Sequence, residues 1–133
     1  MKYISRALER KFLKMNQVFK VVMVTGARQV GKSTMLKQLA QGTGRTYVTL
    51  DNSEDRALAN SDPGLFFQTY QPPLLIDEIQ KAPPLFERMK IICDNSGERG
   101  LFWVTGSQSK KLLDKAGDTL AGRLGVLKLY SLS

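Results

Sequence analysis

The chain has 133 residues and a mass near 14.9 kDa, enough for one domain with a hydrophobic core and too few for two of ordinary size. Apolar residues make up 42 % and charged residues 24 %, which excludes collagen-like, low-complexity and disordered chains. With no histidine and one cysteine, Cys93, an imidazole base, a His-ligated metal, an internal disulfide and a zinc cluster are all excluded, and the lone thiol points to a reducing compartment.

The net charge of +8 is unevenly spread: Lys2, Arg6, Arg10, Lys11, Lys14 and Lys20 stand against Glu9 alone in residues 1–20. There Ile4, Leu8, Phe12 and Met15 recur at helical spacing, so residues 1–20 are expected to form a basic amphipathic helix that packs its apolar stripe on its own domain. The competing use of such a helix is an anionic membrane or nucleic acid. Charges interrupt the N-terminus too often for a signal peptide, and no apolar run approaches the roughly 20 residues that span a bilayer. A cytoplasmic location without membrane contact is the expectation.

From residue 21 to 133 short apolar runs alternate with amphipathic segments, the rhythm of an α/β domain with a mainly parallel sheet. Val21–Thr25 reads as a strand buried on both faces, and Lys32–Gln41 as a helix stopped by Gly42 and Gly44. Thr46–Leu50 is a second strand, and residues 53–70 form one or two short helices broken near Asp62-Pro63-Gly64. Pro72-Pro73 leads into a third strand at Leu74-Leu75-Ile76, ending in Asp77-Glu78. Pro83-Pro84 opens a helix placing Leu85, Phe86, Met89, Ile92 and Cys93 on one face, with Gly97 as its terminator. Leu101–Thr105 is a fourth strand, a helix runs near Lys110–Lys115, and Val126–Leu132 is a fifth strand.

Two segments carry chemistry. Gly26-Ala27-Arg28-Gln29-Val30-Gly31-Lys32-Ser33, followed by Thr34, has two glycines spaced as in a phosphate-binding loop, then Lys and Ser. It lies between a predicted buried strand and a predicted helix, where backbone N–H groups and a helix N-terminus can surround phosphate oxygens. Lys32 is then expected to reach the β- and γ-phosphates, and Ser33 to hold Mg²⁺. The alternative is a plain strand-to-helix turn with Lys32 facing water.

The second segment is Asp77-Glu78, at the carboxyl end of a strand, where open α/β sheets gather their ligands. Successive strand side chains point to opposite faces, so the two acids have different tasks. Asp77 is expected to bind Mg²⁺ through a water, and Glu78 to orient and polarise an attacking water; the alternative is two acids opening a loop. Beyond the fourth strand Ser107, with Thr105 and Gln108 next in order, is the candidate for sensing a terminal phosphate, and a helix cap at Ser107 or Ser109 is the competing role.

Together with Leu75-Ile76-Asp77-Glu78-Ile79-Gln80-Lys81-Ala82-Pro83, Thr105-Gly106-Ser107-Gln108, Leu120-Ala121-Gly122-Arg123 and Leu129-Tyr130-Ser131-Leu132-Ser133, the loop resembles a group of prokaryotic P-loop ATPases of the AAA superfamily. That group carries a further C-terminal domain of unknown function. The resemblance implies a three-layer α/β/α sandwich with strand order 5-1-4-3-2, ATP and Mg²⁺ as cofactors, and hydrolysis of ATP. It also implies that Arg123 contacts phosphate in its own or a neighbouring subunit, the second of which would require a homo-oligomer; a surface arginine or a salt bridge to Asp118 is the alternative. Members continue into a helical lid and the extra domain, so residues 21–133 are expected to form the ATPase core alone, with weak turnover. The competing functions are a nucleotide-dependent regulatory switch, a nucleic-acid-associated P-loop protein and a small-molecule P-loop kinase.

Overall fold

Val21–Thr25 is buried at every position and forms β1, the strand around which the domain is ordered. The structure, a computed structural model, describes residues 6–26 and 31–129. In chain order its elements are α1 (Arg6–Val18), β1, α2 (Lys32–Ala40), β2 (Thr46–Thr49), α3 (Ser53–Ser61), α4 (Pro63–Thr69), β3 (Leu74–Asp77), a 3₁₀ turn (Ile79–Lys81), α5 (Leu85–Asp94), β4 (Phe102–Gly106), α6 (Lys110–Thr119) and β5 (Leu124–Lys128). The five strands make one parallel sheet in the order β2-β3-β4-β1-β5, the order and fold class expected.

Alternation along the strands divides the interior in two. On one face Val21, Met23, Leu74, Ile76, Phe102 and Val104 pack with Phe66, Phe86, Met89 and Cys93 from α4 and α5. On the other, Val22, Val24, Leu75, Trp103 and Leu127 pack with Phe12 of α1 and Met35 and Leu36 of α2. This is the three-layer sandwich, and both sheet faces are covered, as the continuously apolar β1, β3 and β4 require. Burial pushes the Cys93 thiol up to about 11, in keeping with a core residue.

The α1 stripe meets the sheet through Phe12, whose ring stands edge-on to Trp103 at 4.8 Å. Trp103 Nε1 donates to Asn16 Oδ1 at 2.7 Å, and the Arg45 guanidinium lies 3.9 Å from the indole centroid. Leu8 and Met15 pack against the same cluster, while Ile4 lies outside the described residues. None of the described helices is long and apolar enough to cross a membrane.

Several boundaries differ from expectation. β5 begins at Leu124, two residues before Val126, because Gly125 is part of the strand: a Cβ there would run into Phe19 and Met15, so the missing side chain lets α1 close on the sheet. Residues 130–132 of the expected fifth strand lie outside the described residues. α6 extends past Lys115 to Thr119 and is capped by Ser109, whose hydroxyl accepts from Leu112 N–H. α5 stops at Asp94, short of Gly97, where Lys20 Nζ donates to the carbonyls of Cys93 and Ser96 at 2.7 Å each. The break near Asp62 does give two helices, with the Asp62 carboxylate accepting from Leu65 N–H and Pro63 opening α4.

Candidate functional site

Among the described residues, the candidate site residues other than Arg123 gather at the carboxyl ends of the strands. β1 ends at Thr25, Gly26 follows, and the chain re-enters at Gly31, whose left-handed backbone (φ 81°, ψ 24°) turns it into α2. Ala27, Arg28, Gln29 and Val30 lie outside the described residues. Gly26, Lys32, Glu78, Gln80, Lys81, Ser107 and Gln108 line an open cleft of about 390 Å³. Lys32 is only 3 % exposed, yet no ion pair among the described residues includes it. A lysine that deep is rare without an anion to meet it. Thr34, in the same first turn of α2, is exposed and does not line the cleft.

Asp77 shares its sheet face with Leu75, the face that α2 covers. Three hydroxyls converge on its carboxylate. Ser33 Oγ and Thr105 Oγ1 donate to Oδ1 at 2.6 and 2.5 Å, and the Tyr47 phenol donates to Oδ2 at 3.0 Å. Burial alone would push Asp77 up, but the hydroxyls of Ser33, Thr105 and Tyr47 outweigh it and hold the acid below the usual carboxylate range. Reciprocally, burial first and the Asp77 charge second raise the Tyr47 phenol to about 12.

The Ser33 hydroxyl beside an ionised Asp77 is a hard-oxygen pair suited to Mg²⁺, which takes one or two carboxylates and completes its shell with phosphate and water. Among the described residues no group of three or more His, Cys, Asp or Glu could hold a metal without such added ligands. The residues present therefore fit a cation that arrives with a polyphosphate.

Glu78, the next residue, is 8 % exposed and points into the cleft rather than toward α2. Its backbone is left-handed (φ 65°, ψ 54°), a conformation that costs a non-glycine residue about 1–2 kcal/mol. The reversal starts the 3₁₀ turn and brings Gln80 back over Glu78, with Gln80 Nε2 donating to Glu78 Oε1 at 2.6 Å.

Of the three candidate sensors, Ser107 and Gln108 line the cleft, and Thr105 does not. Thr105 is fully buried; its hydroxyl donates to Asp77 and accepts Glu78 N–H at 2.9 Å, so it braces the two acids and is out of reach of a ligand. Arg123 is the residue placed elsewhere. Its carbonyl accepts from Val21 N–H, the start of β1, so it sits at the amino end of the sheet, roughly 13 Å of strand away from the cleft at 3.3 Å per residue. Its guanidinium forks onto Asp94, at 2.6 Å through Nε, and not onto Asp118. Arg123 is thus held by Asp94 at the opposite end of the sheet from the cleft.

Sequence reading missed Tyr47 and Gln80. Tyr47 shares its face with Thr49, which pairs in register with Asp77, so strand alternation carried the only signal for it. Gln80 was marked only by its place in Asp77-Glu78-Ile79-Gln80.

The sequence model of a family described as an AAA domain matches residues 18–133. An uncharacterized protein of Mycobacterium tuberculosis and one of Mycobacterium bovis are each 31 % identical to this chain over 113 residues, 85 % of its length. The chain spans 25 % of the length of each of these curated relatives.

Proposed function

The chain belongs to the AAA domain family, a P-loop ATPase-like domain, and from that premise we propose that it binds ATP with Mg²⁺ and hydrolyses the terminal phosphate. The observation that carries this reading is the meeting of a buried Lys32 and Glu78 in one cleft, while their chain neighbours Ser33 and Asp77 are joined by a hydrogen bond. Gly31 and the start of α2 present backbone N–H groups and the positive helix end to the phosphates, and Lys32 adds a full charge. Bound through Ser33 and Asp77, Mg²⁺ would neutralise charge spreading over the β- and γ-phosphates. Glu78 accepts a proton from water as its oxygen attacks the γ-phosphorus, and the bond to the β-phosphate oxygen breaks to leave ADP and phosphate. Ser107, at the tip of β4, faces the terminal phosphate. Arg123 lies on the far end of the sheet, so its phosphate partner, if the chain assembles, is a neighbouring subunit's nucleotide.

ATP affinity and phosphate release in wild type, Lys32→Ala and Glu78→Gln test this reading. Lys32→Ala should lose nucleotide affinity, whereas Glu78→Gln should keep it and lose turnover. Unchanged affinity in Lys32→Ala would overturn the assignment.

A further inference from the structure

Gln80 makes two hydrogen bonds that together span the cleft. Its Nε2 holds Glu78 Oε1 at 2.6 Å, and its Oε1 accepts the N–H of Ser107 at 3.1 Å. One amide thus ties the carboxylate on the β3 side to the tip of β4. The bridge depends on close approach: a Cβ at Gly106 would come within 3.4 Å of Gln80 Oε1, 3.2 Å of Ile79 and 2.8 Å of Leu112. It depends also on the left-handed Glu78 backbone, which turns the 3₁₀ segment back toward the acid. A glutamate side chain otherwise has three rotatable bonds and must be ordered before it can orient a water. With Oε1 engaged by the amide, Oε2 is left to meet the water.

We propose that Gln80 is a positioning residue that fixes Glu78 for water activation and couples it to Ser107, where the terminal phosphate lies. This rests on the reading of Glu78 given above. Neither neighbour can replace it: Ile79 is buried in the core, and Lys81 is paired with Asp51 at 2.5 Å.

The test uses Gln80→Met, which keeps the bulk and loses both hydrogen bonds, and Gln80→Glu, which keeps the acceptor for Ser107 but sets a second carboxylate against Glu78. Single-turnover hydrolysis should fall about 10- to 100-fold in both, the scale of a misplaced catalytic group, with ATP affinity unchanged. In the Glu78→Gln background Gln80→Met should cause no further loss, because Gln80 acts through Glu78. In the nucleotide-free protein, amide exchange at Ser107 should quicken in Gln80→Met and stay slow in Gln80→Glu. Equal hydrolysis in wild type and Gln80→Met, an undiminished loss in the Glu78→Gln background, or unaltered exchange at Ser107 would overturn the proposal. If Glu78→Gln itself leaves turnover intact, the ATPase reading falls and this inference with it; if Glu78→Gln silences turnover and Gln80→Met does not, only this inference falls.

Discussion

Replacing Thr105 by Val keeps the shape of a fully buried side chain and removes its hydroxyl, which donates to Asp77 and accepts from Glu78 N–H. A hydrogen bond to a charged group contributes about 1.5–3 kcal/mol, and an orphaned buried N–H costs about 1–3 kcal/mol. Both losses fall on one group and do not add fully, so about 3 kcal/mol at neutral pH is the expectation. That is a large share of the roughly 5–15 kcal/mol typical of a domain, and the variant should still fold. Urea denaturation gives the loss as a lower midpoint at unchanged slope. Thr105→Ser, which keeps the hydroxyl and loses a methyl, should cost no more than about 1.5 kcal/mol. The pH dependence adds a second check. Asp77 is held below its ordinary value of 3.8, so the stability it contributes is complete above that value and is lost as pH falls through its lower folded value. The gap between wild type and Thr105→Val should therefore narrow in acid while the cost of the orphaned N–H persists. A loss under about 1 kcal/mol, or a gap that stays constant into acid, would refute the role of Thr105 as a brace.

Absorbance titration of the phenols, taken as wild type minus Tyr47→Phe, should show Tyr47 ionising near 12, and Asp77→Asn should bring that midpoint down by removing the neighbouring charge. Because Glu78 holds a left-handed backbone, Glu78→Gly should be more stable than Glu78→Ala by about 1 kcal/mol in thermal unfolding, although both lose turnover. Arg123→Ala should leave the ATP affinity of the isolated chain unchanged, since Arg123 is bound to Asp94 at the other end of the sheet. Reduced affinity in dilute protein would contradict that placement.

Strands buried on both faces were the most legible elements, since a run such as Val21-Val22-Met23-Val24 has no solvated alternative. The nearness of Gly26 and Lys32 to Glu78 was legible because motif and element coincided, and the carboxyl ends of parallel strands bring them together without knowledge of the intervening residues. What escaped were features set by side chains meeting across the fold. Gly125 looks like a turn residue until Phe19 is placed on it. Arg123 is near Asp118 in sequence, but α6 carries Asp118 away while the end of α5 delivers Asp94. Thr105 read as a ligand sensor because strand tips face ligands, yet alternation turns its hydroxyl inward to Asp77.

The strand order also dictates when the protein can fold. β1 pairs with β4 and β5, Val21 lying beside Phe102 and Leu124, so it precedes both in the chain and remains without either neighbour until Phe102 and the residues after it are in place. Before β4 arrives the sheet amounts to the β2–β3 ladder, with β3 open along its inner edge. Such long-range pairing slows folding and leaves apolar edges exposed in the meantime. Insertion of β4 then joins the two halves of the sheet, and in the same movement it carries Thr105 to Asp77 and Ser107 to Gln80. Phosphate-binding competence and the native fold should therefore appear with a single rate constant in refolding, and a chain ended before Leu101 should have neither.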